Sequence, residues 1–391
     1  MKTRASDESQ RQPGVSSGIS RREFLQGLGA VAAGLLAAGC SPKGVLETVA
    51  SVSTARPAPP TGAPIPSPAA RVAIAQAESY DRDLVRRQVQ ALLDGLGGLE
   101  DVIGSGDRVA IKVNLTGGTH FDPPPGLAAT ESYLTHPEVV RALGELLRDA
   151  GARELFIVEA VYDRESYSLF GYEELAEALD ATLLDLNDPH PYADFTPTPV
   201  GNDWFIYEKF AFHRILDEID AFVSVPKMKC HFNCGVTHAM KNLIGLVPVG
   251  HYRLSEDHWW RSALHGQSHD EAGTRLPRII VDLNRARPIH LALIDGIKTA
   301  EGGEVPRGTF NPVEPGVLIA GKDPVAADTV ATAAMGFDPT VKPPAAPFLR
   351  ADNYLNLAYE FGLGTNRLDE IEVVGASIDD VRYEFQPSRQ M

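Results

Sequence analysis

From residue 71 onward, short apolar runs alternate with stretches of helical spacing. Val72–Ala75, Val109–Val113, Leu155–Val158 and Thr182–Leu186 are brief, mostly apolar and bounded by turn residues, which predicts strands. Between them, Asp83–Leu96, residues 137–150 and Tyr172–Leu179 repeat their apolar positions at helical intervals. Thr135-His136-Pro137-Glu138 marks a helix start: Thr135 or His136 caps, proline takes the first position, and Glu138 sits in the first turn. Gly151 ends that helix. Thr196–Val200 and Trp204–Phe210, joined by Gly201-Asn202-Asp203, predict a β-hairpin. Farther on, Ala221–Val225, His290–Ile294 and Val317–Ala320 predict strands, and Arg278–Asn284 and Ala326–Met335 predict helices, the second capped by Asp323 and opened by Pro324. The pattern predicts an α/β fold: a mostly parallel open sheet flanked by helices, with a β-hairpin insertion near 196–210.

The stretch Ser224–Gly245 sorts its polar residues twice. Beyond Pro226, an extended chain puts Lys227, Lys229 and His231 on one side and Met228, Cys230 and Phe232 on the other. From Thr237, a helix would place His238, Lys241, Asn242 and Gly245 on one face and Met240, Leu243, Ile244 and Val247 on the opposite one. Ligands of open α/β sheets bind at the carboxyl edge of the strands. The stretch therefore predicts an anion-binding wall: Lys227, Lys229, Lys241 and Asn242 hold the ligand, and His231 and His238 move protons. Other strand ends would bring Lys112, Asn114 and Lys322 to the same rim as binding groups, with Asp295 as the facing catalytic carboxylate. An ordinary solvated face is the alternative; Gly245 speaks against it, being a poor helix residue unless something comes close.

Two loops carry further candidates. Thr116-Gly117-Gly118-Thr119-His120 follows a strand end, and its N–H groups either cradle an oxyanion or form a flexible turn. The polar stretch Pro248–Arg275 holds Trp259 and Trp260 beside His251, His258, His265 and His269, and marks a candidate sub-boundary of the domain. His265 and His269 have the i,i+4 spacing of a helical metal pair, which Gly266 between them weakens; a lid or a solvated loop is the other reading. Cys230 and Cys234 do not match the spacing of zinc knuckles, and alternation puts Cys230 with apolar neighbours, so free, buried thiols are expected over a local disulfide.

Charge and composition narrow the picture. The 391 residues carry a net charge of −16, with 43% hydrophobic and 23% charged residues. That balance argues against nucleic-acid binding and leaves no basic patch for a membrane surface. Residues 1–40 read as a targeting segment: Ser20-Arg21-Arg22-Glu23-Phe24-Leu25 resembles a twin-arginine export motif, and Gly27–Ala38 is a short, Gly/Ala-rich apolar run. Leu36-Ala37-Ala38-Gly39-Cys40 resembles a lipobox, with Ala37 where leucine is usual, so Cys40 is the expected lipidated residue; a simple signal-peptidase site is the alternative. Five basic against three acidic residues leave 1–40 at +2 and the rest at −18. Residues 41–70 are a Pro/Ala-rich tether with nothing to build a core, and 71–391 form the folded domain.

The stretch VSVPKMKCH…GVTHAMKNLIG resembles the signature of the DUF362 family. IKVN at 111–114, THPEVVRALGELLRDAGA at 135–152, DLNRARP at 282–288, IDGIKTAEGG at 294–303 and AGKDPVAADTVATAAMG at 320–336 fit the same family in the same order. Many of its members carry an iron–sulfur module, which needs clustered cysteines. This chain has three cysteines and no such cluster, so no iron–sulfur cluster is expected within it. No GxSxG elbow or HExxH motif is present. The resulting expectation is an exported, membrane-tethered enzyme acting on a small anionic substrate by acid–base chemistry, with or without a metal or redox cofactor. The alternative is a non-catalytic lipoprotein that binds an anionic solute or docks a redox partner. The expected partners are the twin-arginine export machinery, the membrane through Cys40, and the small anion, at the periplasmic or extracytoplasmic face.

Overall fold

The structure, a computed structural model, describes residues 70–389; the twin-arginine motif, Cys40 and nearly all of the tether lie outside the described residues. The described residues form thirteen strands: β1 (Ala70–Gln76), β2 (Arg108–Val113), β3 (Glu154–Glu159), β4 (Ala181–Asp185), β5 (Thr196–Pro199), β6 (Lys209–Phe212), β7 (Ala221–Val225), β8 (Lys227–His231), β9 (Gly235–Thr237), β10 (Leu291–Glu301), β11 (Asn311–Val313), β12 (Val317–Gly321) and β13 (Ile371–Gly375). The main sheet runs β13-β1-β12-β10-β7-β2-β3-β4. Every neighbouring pair on that path is parallel except those made by β12, which lies antiparallel to both β1 and β10. The fold is thus the expected α/β type with a mostly parallel sheet.

Side-chain alternation divides the sheet between two cores. Ala221, Val223 and Val225 of β7 join one core and Phe222 the other. The helices Arg82–Gly95, Pro137–Asp149 and Tyr172–Leu179 cover the first face; His269–Ala286, Pro324–Ala334 and Tyr354–Glu360 cover the second. The helix at Pro137 starts as expected, His136 Nδ1 accepting from the Glu138 N–H at 3.2 Å. The expected helix Arg278–Asn284 is part of a longer one, begun by Ser268, whose Oγ accepts from the Glu271 N–H. Pro277 lies inside it and cannot donate to the Gly273 carbonyl; Asp352 N–H takes that carbonyl instead at 2.9 Å.

Two local expectations change. In the hairpin, the second strand is Lys209–Phe212 instead of Trp204–Phe210. The buried carboxylate of Asp282 accepts from the N–H groups of Phe205, Ile206 and Tyr207 at 2.9, 2.8 and 3.2 Å, which peels that segment off the ladder. After Thr237 the chain does not enter an α-helix. It leaves β9 at Thr237, turns, and makes a 3-10 helix over Lys241–Leu246. Asp328 fixes the turn by accepting from Ala239 and Met240 N–H at 2.8 and 3.1 Å.

At the carboxyl edge, the long strand β10 projects past the main sheet. β8 pairs with it in parallel across a register shift between Asp295 and Ala300, β9 folds back on β8, and β11 pairs with the far end of β10. This extension supports one wall of the cleft described below.

Candidate functional site

The first lysine of β8 is fully enclosed. Lys227 Nζ lies 2.7 Å from Asp295 Oδ2 and also donates to Tyr80 Oη, Thr130 O and Lys298 O. Asp295 in turn accepts from Tyr80 O–H at 2.8 Å and from His136 N–H at 3.0 Å. Both side chains are completely buried, and neither Lys227 nor Asp295, the expected facing carboxylate, borders the cleft described below. The strand-end position that suggested catalysis holds a buried ion pair. Lys229, next on the same side, donates to Tyr133 O at 2.6 Å and is also buried. Desolvation, reinforced by the charge of Lys241, holds its ammonium well below the usual lysine range.

A second buried network occupies the end of β2. Lys112 Nζ donates to Glu159 Oε2 at 2.9 Å, to Val113 O at 2.6 Å and to Asn242 Oδ1 at 3.2 Å. Burial outweighs the attraction of Glu159 and lowers the Lys112 pKa to about 8. Asn242 donates to Lys112 O and Ser224 Oγ, both at 3.1 Å, and Asn114 Nδ2 approaches Asn242 Oδ1 at 3.4 Å. Gly245 packs on this network: a Cβ there would stand 2.0 Å from Glu159 Oε1. Something does come close to that glycine, and it is the chain's own ion pair.

Two residues expected at the rim lie elsewhere. His238 is fully buried, its Nε2 3.2 Å from Met335 Sδ at the end of the helix Pro324–Ala334, because the turn at Ala239 replaces the helix that would have aligned it with Lys241. Lys322 pairs with Asp101 and borders a different cavity. The reason is strand direction. Lys322 follows β12, whose last residue, Gly321, pairs with Ala292 near the start of β10, so it emerges at the opposite edge.

What remains of the expected wall faces a cleft of about 760 Å³. His231, Asn233, Lys241, His265, His269 and Glu304 border it, together with Trp259 and Trp260. Lys241 and Ile244 share its floor because residues three apart eclipse on a 3-10 helix. Trp259 stacks on His120 with centroids 4.2 Å apart and meets Tyr162 edge-on at 5.1 Å. The glycine turn at 117–118 also borders the cleft region, but the Thr119 N–H is directed at Asp163 Oδ2, 2.8 Å away, so that donor already has a protein carboxylate. Of the expected residues, then, His231, Lys241, His265 and His269 meet in one place. Lys112, Asn114 and Asn242 lie just beneath.

The imidazoles of the cleft are set in different tautomers. His231 Nδ1 accepts from Asn233 N–H at 3.1 Å, so the neutral ring carries its proton on Nε2. Burial first, then the charges of Lys241 and His265, keep its pKa well below the ordinary value. His265 Nδ1 lies 3.1 Å from Arg261 O; a carbonyl only accepts, so Nδ1 carries the proton and Nε2 has a free lone pair. Desolvation and the nearby charges of Lys241 and Arg261 lower the His265 pKa to about 4. His265 and His269 do not form one helical pair: Gly266, at φ +79°, separates the short helix Ser262–His265 from His269–Ala286. Among the described residues, no group of three or more His, Cys, Asp or Glu side chains is placed to hold a metal. Cys230 and Cys234 are free and buried, and burial pushes each thiol up to about 12.

Sequence reasoning passed over Arg261, Asn233 and Arg307. Arg261 is 2% exposed and donates to Val247 O at 2.7 Å and to Ala160 O. The one signal for it was an arginine beside two tryptophans in a long polar loop.

The profile of a family described as a domain of unknown function, DUF362, matches residues 109–333. A thylakoid-associated protein of Synechocystis is 29% identical over 277 residues, covering 70% of this chain and 76% of that protein. Among solved structures, lactate racemase apoprotein from Thermoanaerobacterium thermosaccharolyticum is similar at a TM-score of 0.35 and 14% identity, over 65% of this chain and 56% of that one. A Thermotoga maritima protein is similar at 0.31 and 12%, over 64% and 57%. The chain thus spans little more than half the length of these two structures, and the likeness is too distant to bear on the site. The profile covers more than half of the chain and contains both β8 and Lys241: the chain belongs to the DUF362 family.

Proposed function

We propose that this protein is an exported, membrane-tethered enzyme that removes a proton next to a carbonyl or carboxyl group of a small anionic substrate. The observation that carries the reading is the pair of histidines with opposite tautomers bordering one cleft beside Lys241. His265 Nε2, with its lone pair free and its pKa near 4, is the base at neutral pH. As His265 takes the proton, the electron pair moves onto the substrate oxygen. His231 Nε2–H and the Lys241 ammonium are the donors available to that oxygen. Return of the proton from His265 regenerates the base. Trp259 and Trp260 give the cleft apolar lining beside these groups. Export and tethering rest on Ser20–Leu25 and on Cys40, and the thylakoid association of the Synechocystis relative supports a membrane setting.

The test is solvent exchange. Small carboxylates and phosphates are incubated with the protein in D₂O and followed by proton NMR. Loss of one carbon-bound proton signal is expected, abolished in His265→Gln and slowed at least tenfold in His231→Phe. Its acid limb should have its midpoint near pH 4. Exchange that survives His265→Gln unchanged, or no exchange with any member of the panel, sinks the reading.

A further inference from the structure

Beneath the cleft floor lies a recess of about 30 Å³, reached past Thr116, Tyr162, Lys241 and Ile244, which border both spaces. Its charges do not balance. Lys112, Lys241 and Arg261 face a single carboxylate, Glu159. Glu159 is already engaged by Lys112 Nζ and by Leu115 N–H at 3.1 Å. Among the described residues, neither Lys241 nor Arg261 stands in an ion pair. A guanidinium this deeply buried, held by the carbonyls of Val247 and Ala160 and by the face of the Tyr162 ring 5.2 Å away, is expensive to leave without a counter-ion.

The recess also contains an unused acceptor whose orientation is dictated. The Lys112 carbonyl requires a donor, so Asn242 turns its Nδ2 there and its Oδ1 toward Lys112 Nζ and Asn114. Asn114 must then present its Nδ2 to Asn242. Its Oδ1 is left with no partner, on a side chain more than nine-tenths buried. Two surplus cations beside one orphan acceptor describe a ligand end that has negative charge and, one atom away, a hydrogen to give.

We infer that the anionic end of the substrate is a carboxylate that descends between Lys241 and Arg261, with a hydroxyl or amine on the adjoining carbon donating to Asn114 Oδ1. This deepens the proposed function and rests on it. The recess, about 30 Å³, is narrow, which favours the flat edge of a carboxylate over a tetrahedral phosphate. Arg261, by this assignment, is the principal anion-holding residue, in place of the lysines of β8.

The full chain is titrated with acetate, glycolate, glycine and inorganic phosphate, reading tryptophan fluorescence from Trp259 and Trp260 and confirming by calorimetry. Glycolate or glycine should bind at least tenfold more tightly than acetate, and phosphate most weakly. Asn114→Leu should bring glycolate and glycine to the affinity of acetate and leave acetate within twofold. Lys241→Met should weaken all three carboxylates at least tenfold; it is used beside Arg261→Lys because loss of the buried guanidinium can compromise folding. Equal weakening of all three in Asn114→Leu, or wild-type binding in Lys241→Met, overturns the inference. Tight, Lys241-dependent phosphate binding overturns it and leaves the cleft an anion site. If none of the four anions binds, the inference fails and the proposed substrate class fails with it.

Discussion

Lys227 and Lys241 belong to one lysine-rich stretch, and sequence alone gave them the same task. Lys227 is closed off by Asp295, Tyr80 and two further carbonyls, so its charge is spent inside the protein. Lys241 is half-exposed on the cleft floor and, among the described residues, stands in no ion pair. The difference comes from what each backbone segment faces. β8 runs parallel to β10 and meets Asp295 there, whereas the 3-10 helix lifts Lys241 above the Lys112–Glu159 pair. A cation with its own acid inside the fold holds elements together; a cation without one is available to a ligand.

The largest test of that contrast is Lys227→Met. It strands Asp295 without its cation in a dry site, and removal of one partner of a buried pair costs about 3–5 kcal/mol. Unfolding in denaturant should show a loss of that size, and Lys227→Met combined with Asp295→Leu should recover much of it. If the single variant is as stable as wild type, the pair is not the anchor described.

Gly245→Ala comes next. The added methyl would meet Glu159 Oε1 and, at 2.6 Å, Lys112 Nζ, so the pair must shift. Overpacking of this kind costs about 1–3 kcal/mol. A melting temperature unchanged from wild type would mean the network yields freely, and that Gly245 is not needed for close packing.

The alternation of strands and helices was readable because the central apolar runs, such as β7 and β12, are buried on both faces and helices such as Arg82–Gly95 on one, which periodicity records directly. Strand direction was not. Val317–Ala320 reads the same either way, so nothing in it showed that β12 is reversed and takes Lys322 to the far edge. The helix expected from Thr237 and the second hairpin strand failed for a related reason. Asp328 and Asp282, far away in sequence, capture the backbone N–H groups of those segments, and no local pattern reports a distant carboxylate. Half of the site was legible, since His231 and Lys241 sit in the stretch that looked unusual. Arg261 and Trp259 enter from a loop whose position only the folded chain reveals.

His238 offers a pH-dependent contrast with His265. His238 is wholly buried, and desolvation lowers its pKa to about 3. An unfolded chain takes up that proton near pH 6.5, whereas the native state refuses it until about 3, so stability falls as pH drops through that window. The slope is about 1.4 kcal/mol per pH unit for each proton fully discriminated. His136, also lowered to about 3 by burial, adds to it. His238→Leu should therefore flatten the acid side of a stability–pH curve by up to one proton. A curve that keeps its full slope would show that other groups carry the acid transition.

The smallest stability effect belongs to Lys241→Met, and its smallness is the point. The Lys241 side chain makes no hydrogen bond or ion pair among the described residues, and its neighbour Ile244 already gives that face of the 3-10 helix an apolar partner. Removing a charge that nothing in the fold uses should change stability by no more than about 0.5 kcal/mol. The sign should be favourable if anything, because Lys229, Lys112 and His231 all feel Lys241 as a repelling charge. Without ligand, the variant should melt with wild type or slightly above it. A loss comparable to that of Lys227→Met would mean that Lys241 is a second structural lysine, and the distinction drawn between the two halves of the stretch would fall.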